Sequence, residues 1–184
     1  MTQKSQQVRL RPGRNARLAI IILGVALCGT IAQPALARGR PLPVILWIHG
    51  GGWSKGRKEQ HSPAISFLND GYAVASIEYR LSGEAPFPAQ IDDCKAAVRW
   101  LRANAAKYNL DADRIGAWGH SAGGHLSALL GTSGGVQELE GSGDNMSYSS
   151  RVQAVCDVSG PADFVRLYHD GSDASTGTRP KAVS

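Results

Sequence analysis

The amino-acid sequence predicts an α/β fold in which a parallel sheet carries helices on both faces. Four apolar runs have the length of buried strands, and they fall at residues 43–48, 73–79, 115–118 and 152–158. Runs without polar interruption are typical of parallel strands that are buried on both faces. Helical or loop-like segments separate the runs, and this alternation along the chain favours a parallel sheet.

The segments between the predicted strands divide into helices and loops. A short helix is expected at 63–69, after a polar loop at 54–61 and before Gly71, which suits a helix end. Apolar side chains then recur at helical spacing; they are Ile91, Cys94, Val98, Leu101 and Ala105. A further helix is expected from residue 122 to 130. It is followed by a Gly/Ser-rich surface loop at 131–150, and residues 171–184 have the composition of a flexible tail.

The first 37 residues have the organisation of a secretory signal peptide. The formal net charge of +5 comes from basic residues that precede an apolar run at 18–32. An A-x-A sequence at 35–37 predicts cleavage after Ala37, which divides the chain into a signal peptide (1–37) and a domain at 38–184. A membrane anchor is the alternative, but the run is about 15 residues and a span needs about 20. A secreted or periplasmic protein without a stable membrane anchor is predicted, and no strand is expected before residue 43.

The remaining charge and the cysteines exclude several classes of partner. From Arg38 onward basic and acidic residues are equal in number, so the high isoelectric point does not indicate nucleic-acid binding. Cys94, on a predicted helix, and Cys156, in a predicted strand, are expected to be small buried side chains. No metal-ligand spacing and no nucleotide or flavin motif occurs, so neither a metal nor a cofactor is expected. The sequence leaves the oligomeric state open.

The pattern G-x-S-x-G at residues 119–123 marks a candidate nucleophile. It lies between the predicted strand at 115–118 and a helix that starts immediately afterwards. In such a strand-to-helix corner the hydroxyl of Ser121 stands clear of the sheet, and Gly119 and Gly123 avoid a Cβ collision with the neighbouring backbone. The N–H of Ala122, at the start of the helix, is then free to donate to a developing oxyanion.

A glycine-rich loop after the strand at 43–48 supplies candidate oxyanion donors. The loop reads His49-Gly50-Gly51-Gly52-Trp53. Consecutive glycines leave backbone N–H groups uncovered, so a carbonyl oxygen can approach them closely. The N–H groups of Gly51 and Gly52 are the candidate donors beside that of Ala122, and Gly50 shapes the loop. A flexible glycine turn is the alternative, but the later G-x-S-x-G corner argues against it.

These motifs resemble the α/β-hydrolases of the HGGG esterase/lipase type, close to the acetyl-esterase and feruloyl-esterase-like (BD-FAE-like) members. The matching segments are HGGGW at 49–53, EYRLS at 78–82, FPAQIDDCKAAVRWL at 87–101, DADRIGAWGHSAGGHLSALLGTS at 111–133 and VSGPADF at 158–164. The resemblance covers about residues 41–167 and implies an α/β-hydrolase fold, a serine carboxylesterase and a small-molecule ester substrate. It also implies a structural role for Glu78, Tyr79 and Arg80.

A catalytic base is not evident in the sequence. In α/β-hydrolases the carboxylate and the histidine follow the serine along the chain, and only His125 and His169 follow Ser121 here. His125 lies one helical turn after the serine and is expected to pack in the interior, whereas His169 is expected in a surface loop. His49 and His120 match family positions that are not the base, and His61 is expected to be exposed.

The carboxylates lead to the same expectation. Asp157 and Asp163 match family positions upstream of the catalytic acid, and Asp170 and Asp173 fall in or near the predicted tail. The chain is therefore expected to be an amino-terminal piece of an esterase. It is expected to have a partial sheet that lacks the strands carrying the catalytic acid and base. Such a piece is expected to be inactive as given.

Two other functions stay open at this point. A peptidase or an amidase can use the same fold, because a fold does not decide the substrate. A non-catalytic binding protein or an inert fragment would also explain the missing base and acid. The HGGGW loop favours ester substrates over amides.

Overall fold

The computed structural model describes residues 18–22, 30–34, 39–167 and 169, and its centre is a six-stranded sheet. The strands are β1 (Leu18–Ile22), β2 (Thr30–Pro34), β3 (Leu42–Ile48), β4 (Ala73–Ile77), β5 (Leu110–His120) and β6 (Ala154–Val158). Two α-helices, α1 (Ala89–Ala103) and α2 (Ala122–Thr132), and two 3₁₀ helices, Pro63–Asp70 and Gln137–Leu139, connect them.

The sheet is parallel around β3 and antiparallel at its amino-terminal side. Its strand order is β1-β2-β4-β3-β5-β6. Strand β3 pairs in parallel with both β4 and β5, and β5 pairs in parallel with β6. The predicted α/β class is therefore confirmed, because the four predicted strands and the helices between them occur in the expected order.

Strands β1 and β2 contradict the expectation that no strand precedes residue 43. They pair antiparallel with each other, and β2 continues the sheet by pairing antiparallel with β4, with Ile31 opposite Ala75. Ile31 and Ala32 are buried in this position. An apolar segment rich in isoleucine suits a strand as well as a signal sequence, because both environments require low polarity. Residues 1–17, 35–38 and 171–184 lie outside the described residues. The cleavage site after Ala37 and the flexible tail therefore stay predictions.

Alternate residues of β3 separate the two faces of the sheet. Leu46 and Ile48 belong to the main core beneath α1 and α2, together with Cys94, Leu101 and Leu126. On the opposite face Trp47 and Ile45 pack with Ala64 and Leu68 of the 3₁₀ helix Pro63–Asp70. The period of two along the strand produces this division.

Strand β6 is exposed, although its apolar sequence predicts a buried strand. All five of its residues are exposed, and Cys156 is a free, exposed cysteine. Within the described part of the chain β6 pairs only with β5, so it forms the outer strand of the sheet. Cys94 is buried as predicted, and its burial raises the pKa of the thiol well above the usual range.

The loop at 131–150, predicted as surface, contributes one partly buried ionic cluster. The Glu140 carboxylate accepts hydrogen bonds from Lys95 Nζ at 2.8 Å and from Arg99 Nη1 at 3.0 Å. Lys95 also donates to the carbonyl of Ser133 at 2.6 Å, and Ser150 Oγ donates to Glu140 at 2.9 Å. Burial alone would raise the pKa of Glu140, but hydrogen bonds from Lys95 and Ser150 outweigh it and lower the pKa. This cluster ties the loop to α1.

Among the described residues, no helix is both long enough and apolar enough to cross a membrane.

Candidate active site

Ser121 lies in a strained corner between β5 and α2. Its φ is 56° and its ψ is −122°, a region that is costly for a residue with a Cβ. Two backbone hydrogen bonds fix the corner: the Ser121 N–H donates to the carbonyl of Val158 at 2.8 Å, and the His125 N–H donates to the carbonyl of Ser121 at 3.0 Å. The strain is thus held by a neighbouring strand on one side and by the first turn of α2 on the other.

The flanking glycines are required by close backbone approach. A Cβ on Gly123 would overlap the carbonyl oxygen of Ile48 and lie 2.6 Å from that of His49. A Cβ on Gly119 would overlap the carbonyl oxygen of Gly123. Real Cβ atoms do not approach oxygen so closely, so both positions require glycine. Gly123 lets α2 pack against the end of β3, and Gly119 lets the end of β5 pack against α2.

The glycine loop after β3 packs directly against this corner. A Cβ on Gly50 would lie 2.7 Å from the carbonyl oxygen of His120 and 3.4 Å from the Cβ of Ser121. Gly51 and Gly52 have φ values of 121° and 58°, both in the left-handed region. The tertiary fold therefore brings together the two motifs that the sequence separates. Ala122 is the first residue of α2 and is buried, and an N–H in this first turn has no partner within the helix.

His49 contacts the backbone of the glycine loop, and its side chain is buried. Its side chain is 1% exposed, its ring stacks on Tyr79 with centroids 4.3 Å apart, and its Nδ1 lies 2.8 Å from the carbonyl oxygen of Gly50. Its Nε2 lies 3.6 Å from Glu78 Oε1. The Tyr79 hydroxyl donates to the carbonyl of His49 at 3.0 Å, and burial raises the pKa of Tyr79.

Residues 78–80 therefore support the loop, as the resemblance implies. Arg80 extends this support by pairing with the buried Asp93 of α1 through Nε at 2.9 Å and Nη2 at 2.8 Å. The sequence does not reveal that His49 and Tyr79 stack, because they follow different strands, β3 and β4. In the sequence, only the Glu78-Tyr79-Arg80 segment indicated a structural role for these residues.

An open cleft runs past the corner and the glycine loop. Its volume is about 1120 Å³. Its walls come from the end of β3 and the following loop, from the end of β5, and from β6; the lining residues are Trp47, His49, Gly50, Gly51, Gly52, Ser54, Lys55, Gly56, Arg57, Gln60, His61, Pro63, Trp118, His120, Ser121 and Val158. Ser121 and the three loop glycines thus share one accessible space.

His125, the first histidine after Ser121, forms no hydrogen bond with the Ser121 hydroxyl in the part of the chain that the structure describes, and its Nδ1 is buried without a partner there. His125 packs between Trp53, at a centroid distance of 5.4 Å, and Phe164, at 4.8 Å. Burial lowers the pKa of His125, and the nearby Asp157 carboxylate opposes this shift. His61 and His120 are exposed side chains at the cleft.

Asp157 and Asp163, which the resemblance places upstream of the catalytic acid, both have local structural contacts. Asp157 Oδ1 accepts the Gly160 N–H at 2.8 Å, and Asp163 Oδ1 accepts the Arg166 N–H at 2.9 Å. Asp170 and Asp173 lie outside the described residues. The described residues also contain no group of three or more His, Cys, Asp or Glu side chains that could hold a metal ion.

Comparison with known proteins identifies the family. The BD-FAE family model matches residues 31–183. The esterase LipQ of Mycobacterium tuberculosis is 37% identical over 134 residues, which cover 72% of this chain and 31% of LipQ. The carboxylesterase NlhH of the same organism is 46% identical over 91 residues, or 48% of this chain and 28% of NlhH. The chain thus spans about a third or less of the length of these relatives.

A solved structure extends the comparison to the fold. A truncated form of a carbohydrate esterase from gut microbiota is 41% identical and has a TM-score of 0.68, with 73% of this chain and 51% of that chain covered. The family match includes residues 31–34, which lie in β2, and it reaches into the predicted tail. By sequence and by fold, the chain belongs to the BD-FAE family of α/β-hydrolase esterases.

Proposed function

We propose that Ser121 is the nucleophile of a serine carboxylesterase and that the N–H groups of Gly51, Gly52 and Ala122 form its oxyanion hole. In this reaction the Ser121 hydroxyl attacks an ester carbonyl while these donors stabilise the charge that develops on the carbonyl oxygen. The alcohol then leaves, and water hydrolyses the acyl-enzyme. The substrate class is a small-molecule carboxylic ester.

One observation carries the proposal. Ser121 has a φ of 56° at a strand-to-helix corner, and Gly50 of the glycine loop packs against that same corner. Backbone strain of this kind persists only where the surrounding structure enforces it, and it clusters at functional sites. The esterase names of LipQ and NlhH favour ester hydrolysis over amide hydrolysis.

The proposal assigns the base and the orienting carboxylate to none of the described residues. An unassisted serine hydroxyl is a weak nucleophile, because no group removes its proton during attack. We therefore expect the chain as given to hydrolyse activated esters only weakly. Its rate should fall within the roughly 10³–10⁴-fold over water that an oxyanion hole and binding provide.

Joining the full chain to the half of the carbohydrate esterase fold that it does not cover tests this assignment. We expect the chimera to hydrolyse 4-nitrophenyl acetate and to react with a serine-directed phosphonate. Ser121→Ala should lower turnover at least about 10³-fold and abolish labelling, because the nucleophile is lost. The two measurements are the rate of 4-nitrophenyl acetate hydrolysis and the intact mass of the protein after phosphonate treatment.

Ser66→Ala is the matched control. Ser66 is exposed on the 3₁₀ helix Pro63–Asp70 and donates only to the carbonyl of Pro63, so its loss should leave turnover unchanged. A chimera whose turnover survives Ser121→Ala would contradict the nucleophile assignment. Strong Ser121-dependent hydrolysis by the chain alone would instead show that one of its own histidines acts as the base. A folded chimera with no turnover would favour the non-catalytic binding protein.

A further inference from the structure

The charged side chains that line the cleft beside Ser121 have one sign. Lys55 and Arg57 both line it, and none of the described aspartates and glutamates does. Both side chains are exposed, so their charge faces solvent in the cleft. A concave surface lined by one sign of charge raises the local concentration of ligands of the opposite sign.

Neither cation has a counter-ion within the part of the chain that the structure describes. Lys58, which follows them in the chain, pairs with Glu78 at 4.0 Å, but neither Lys55 nor Arg57 takes part in a described ion pair. Glu78 also lies 3.6 Å from His49 Nε2, so its carboxylate is already engaged. The positive charge of the cleft is therefore not neutralised by a neighbouring carboxylate.

The backbone that carries the two cations is held in place. The carbonyl of Gly51 accepts the N–H groups of Ser54, at 3.2 Å, and Lys55, at 3.1 Å. The carbonyl of Lys58 accepts the Ser76 hydroxyl of β4 at 2.7 Å, which fixes the other end of the segment. Because both ends are anchored, the cations stay beside the glycine loop and only their side chains need to be ordered by a ligand.

Two tryptophans add apolar area to the lining of the cleft. Trp47 and Trp118 both line it, and their rings meet edge to face with centroids 5.7 Å apart. The indole N–H of each is buried and has no acceptor among the described residues. Trp47 is 5% exposed, so this N–H has lost its contact with bulk water.

We propose that the cleft selects esters that carry a second, ionised carboxylate, and that Lys55 and Arg57 bind this carboxylate. The inference rests on the proposed function, because it takes the ester group to lie at Ser121. The carboxylate reaches the two cations while the ester carbonyl meets the glycine loop. Lys55 and Arg57 are then specificity-determining residues that take no part in bond making or breaking.

Binding of matched ester pairs to the full-length Ser121→Ala chain tests this inference without turnover. Monomethyl glutarate is compared with methyl pentanoate for a carboxylate on the acyl side, and O-acetylglycolate with ethyl acetate for one on the alcohol side. Ligand-observed NMR titration gives the dissociation constants. We expect the anionic member of at least one pair to bind about fivefold tighter, since a single exposed ion pair contributes up to about a factor of five. In about 0.5 M sodium chloride the preference should largely disappear.

The double variant Lys55→Gln/Arg57→Gln should remove the preference. Both side chains are exposed and make no side-chain hydrogen bond among the described residues, so the fold should be retained. Lys107→Gln is the matched control, because Lys107 is an exposed cation that precedes β5, at the opposite end of the sheet from His120. It should leave the preference unchanged.

Three results would overturn the inference. They are equal dissociation constants within both pairs, a preference that survives the double variant, and equally tight binding of butyrate, which is an anion without an ester. The outcome is separate from that of the proposed function. Ser121-dependent hydrolysis without a charge preference would reject only the carboxylate selectivity, and a charge preference without hydrolysis in the chimera would reject only the catalytic assignment.

Discussion

At the scale of single residues, the corner at Ser121 depends on glycines, because they have no side chain. Gly123 lets the first turn of α2 approach the carbonyls of Ile48 and His49, and Gly50 lets the glycine loop approach His120. A side chain at either position would separate Ser121 from the loop. The strained φ of Ser121 is maintained by these contacts and by its hydrogen bond to Val158.

Gly123→Ala should therefore destabilise the protein. The added methyl group would overlap the backbone of β3, and forced overpacking costs about 1–3 kcal/mol or more. Urea unfolding followed by circular dichroism measures the change. Gly83→Ala is the control, because no atom lies within 4 Å of a Cβ there, and its effect should stay within about 1 kcal/mol in either direction. Equal stability of the two variants would argue against the close approach described at Gly123.

At the scale of secondary-structure elements, the loop after α2 is fastened to α1 by one carboxylate. Glu140 meets two side chains that are almost completely buried, Lys95 and Arg99. Arg99 Nε and Nη2 have no further partner among the described residues. The cluster therefore depends on the negative charge of Glu140.

Glu140→Gln should cost about 3–5 kcal/mol of unfolding free energy, because it leaves two buried cations without a carboxylate. Thermal and urea unfolding of the full chain measure the loss. Glu138→Gln, an exposed change in the same loop, should have an effect within about 0.5 kcal/mol.

The free energy that Glu140 contributes to the stability of the wild-type chain should also decrease at acidic pH. The pKa of Glu140 is lowered in the fold from its ordinary value of 4.5, so this stability is complete above that pH and is lost as the pH falls through the folded pKa. A Glu140→Gln variant as stable as wild type would contradict the role of the cluster.

At the scale of the whole molecule, the amino-terminal segment has two possible uses. We propose that residues 1–37 direct export and are removed after Ala37, yet residues 18–22 and 30–34 form β1 and β2 of the sheet. Removal would take β2 away from β4, whose edge would then be unpaired, and β6 already has an open edge among the described residues. Unpaired apolar edges promote aggregation.

Expression in a bacterial host with an export pathway tests both consequences. The intact mass of the exported product should correspond to loss of the first 37 residues, and size-exclusion chromatography should show that this product self-associates more than the unprocessed chain. Retention of the segment in the exported protein would contradict cleavage and favour a membrane anchor. A processed product that is a soluble monomer with a sharp thermal transition would contradict the aggregation expected from the open edges.

Much of the fold follows from local patterns. The apolar runs that became β3 and β4 and the helical spacing of Ile91, Cys94 and Val98 in α1 report burial directly. The strand β6 also occurs where the sequence predicts it, but the prediction that it is buried is wrong. Its apolar sequence suits a strand covered on both faces, and the described part of the chain does not provide that cover. The strands β1 and β2 were missed because low polarity alone does not distinguish a strand from a signal sequence.

The sequence by itself determined the elements of the site: a serine between two glycines at a strand-to-helix junction, and a glycine run after a buried strand. Both are local, because they depend on backbone conformations within a few residues. Only the tertiary structure decided that Gly50 touches the Ser121 corner, that Lys55 and Arg57 share its cleft, and that Glu140 reaches Lys95. These contacts join residues that lie apart in the chain. Those around Ser121 form because parallel strands bring their carboxyl ends to one edge of the sheet, and that of Glu140 forms because the loop after α2 reaches α1.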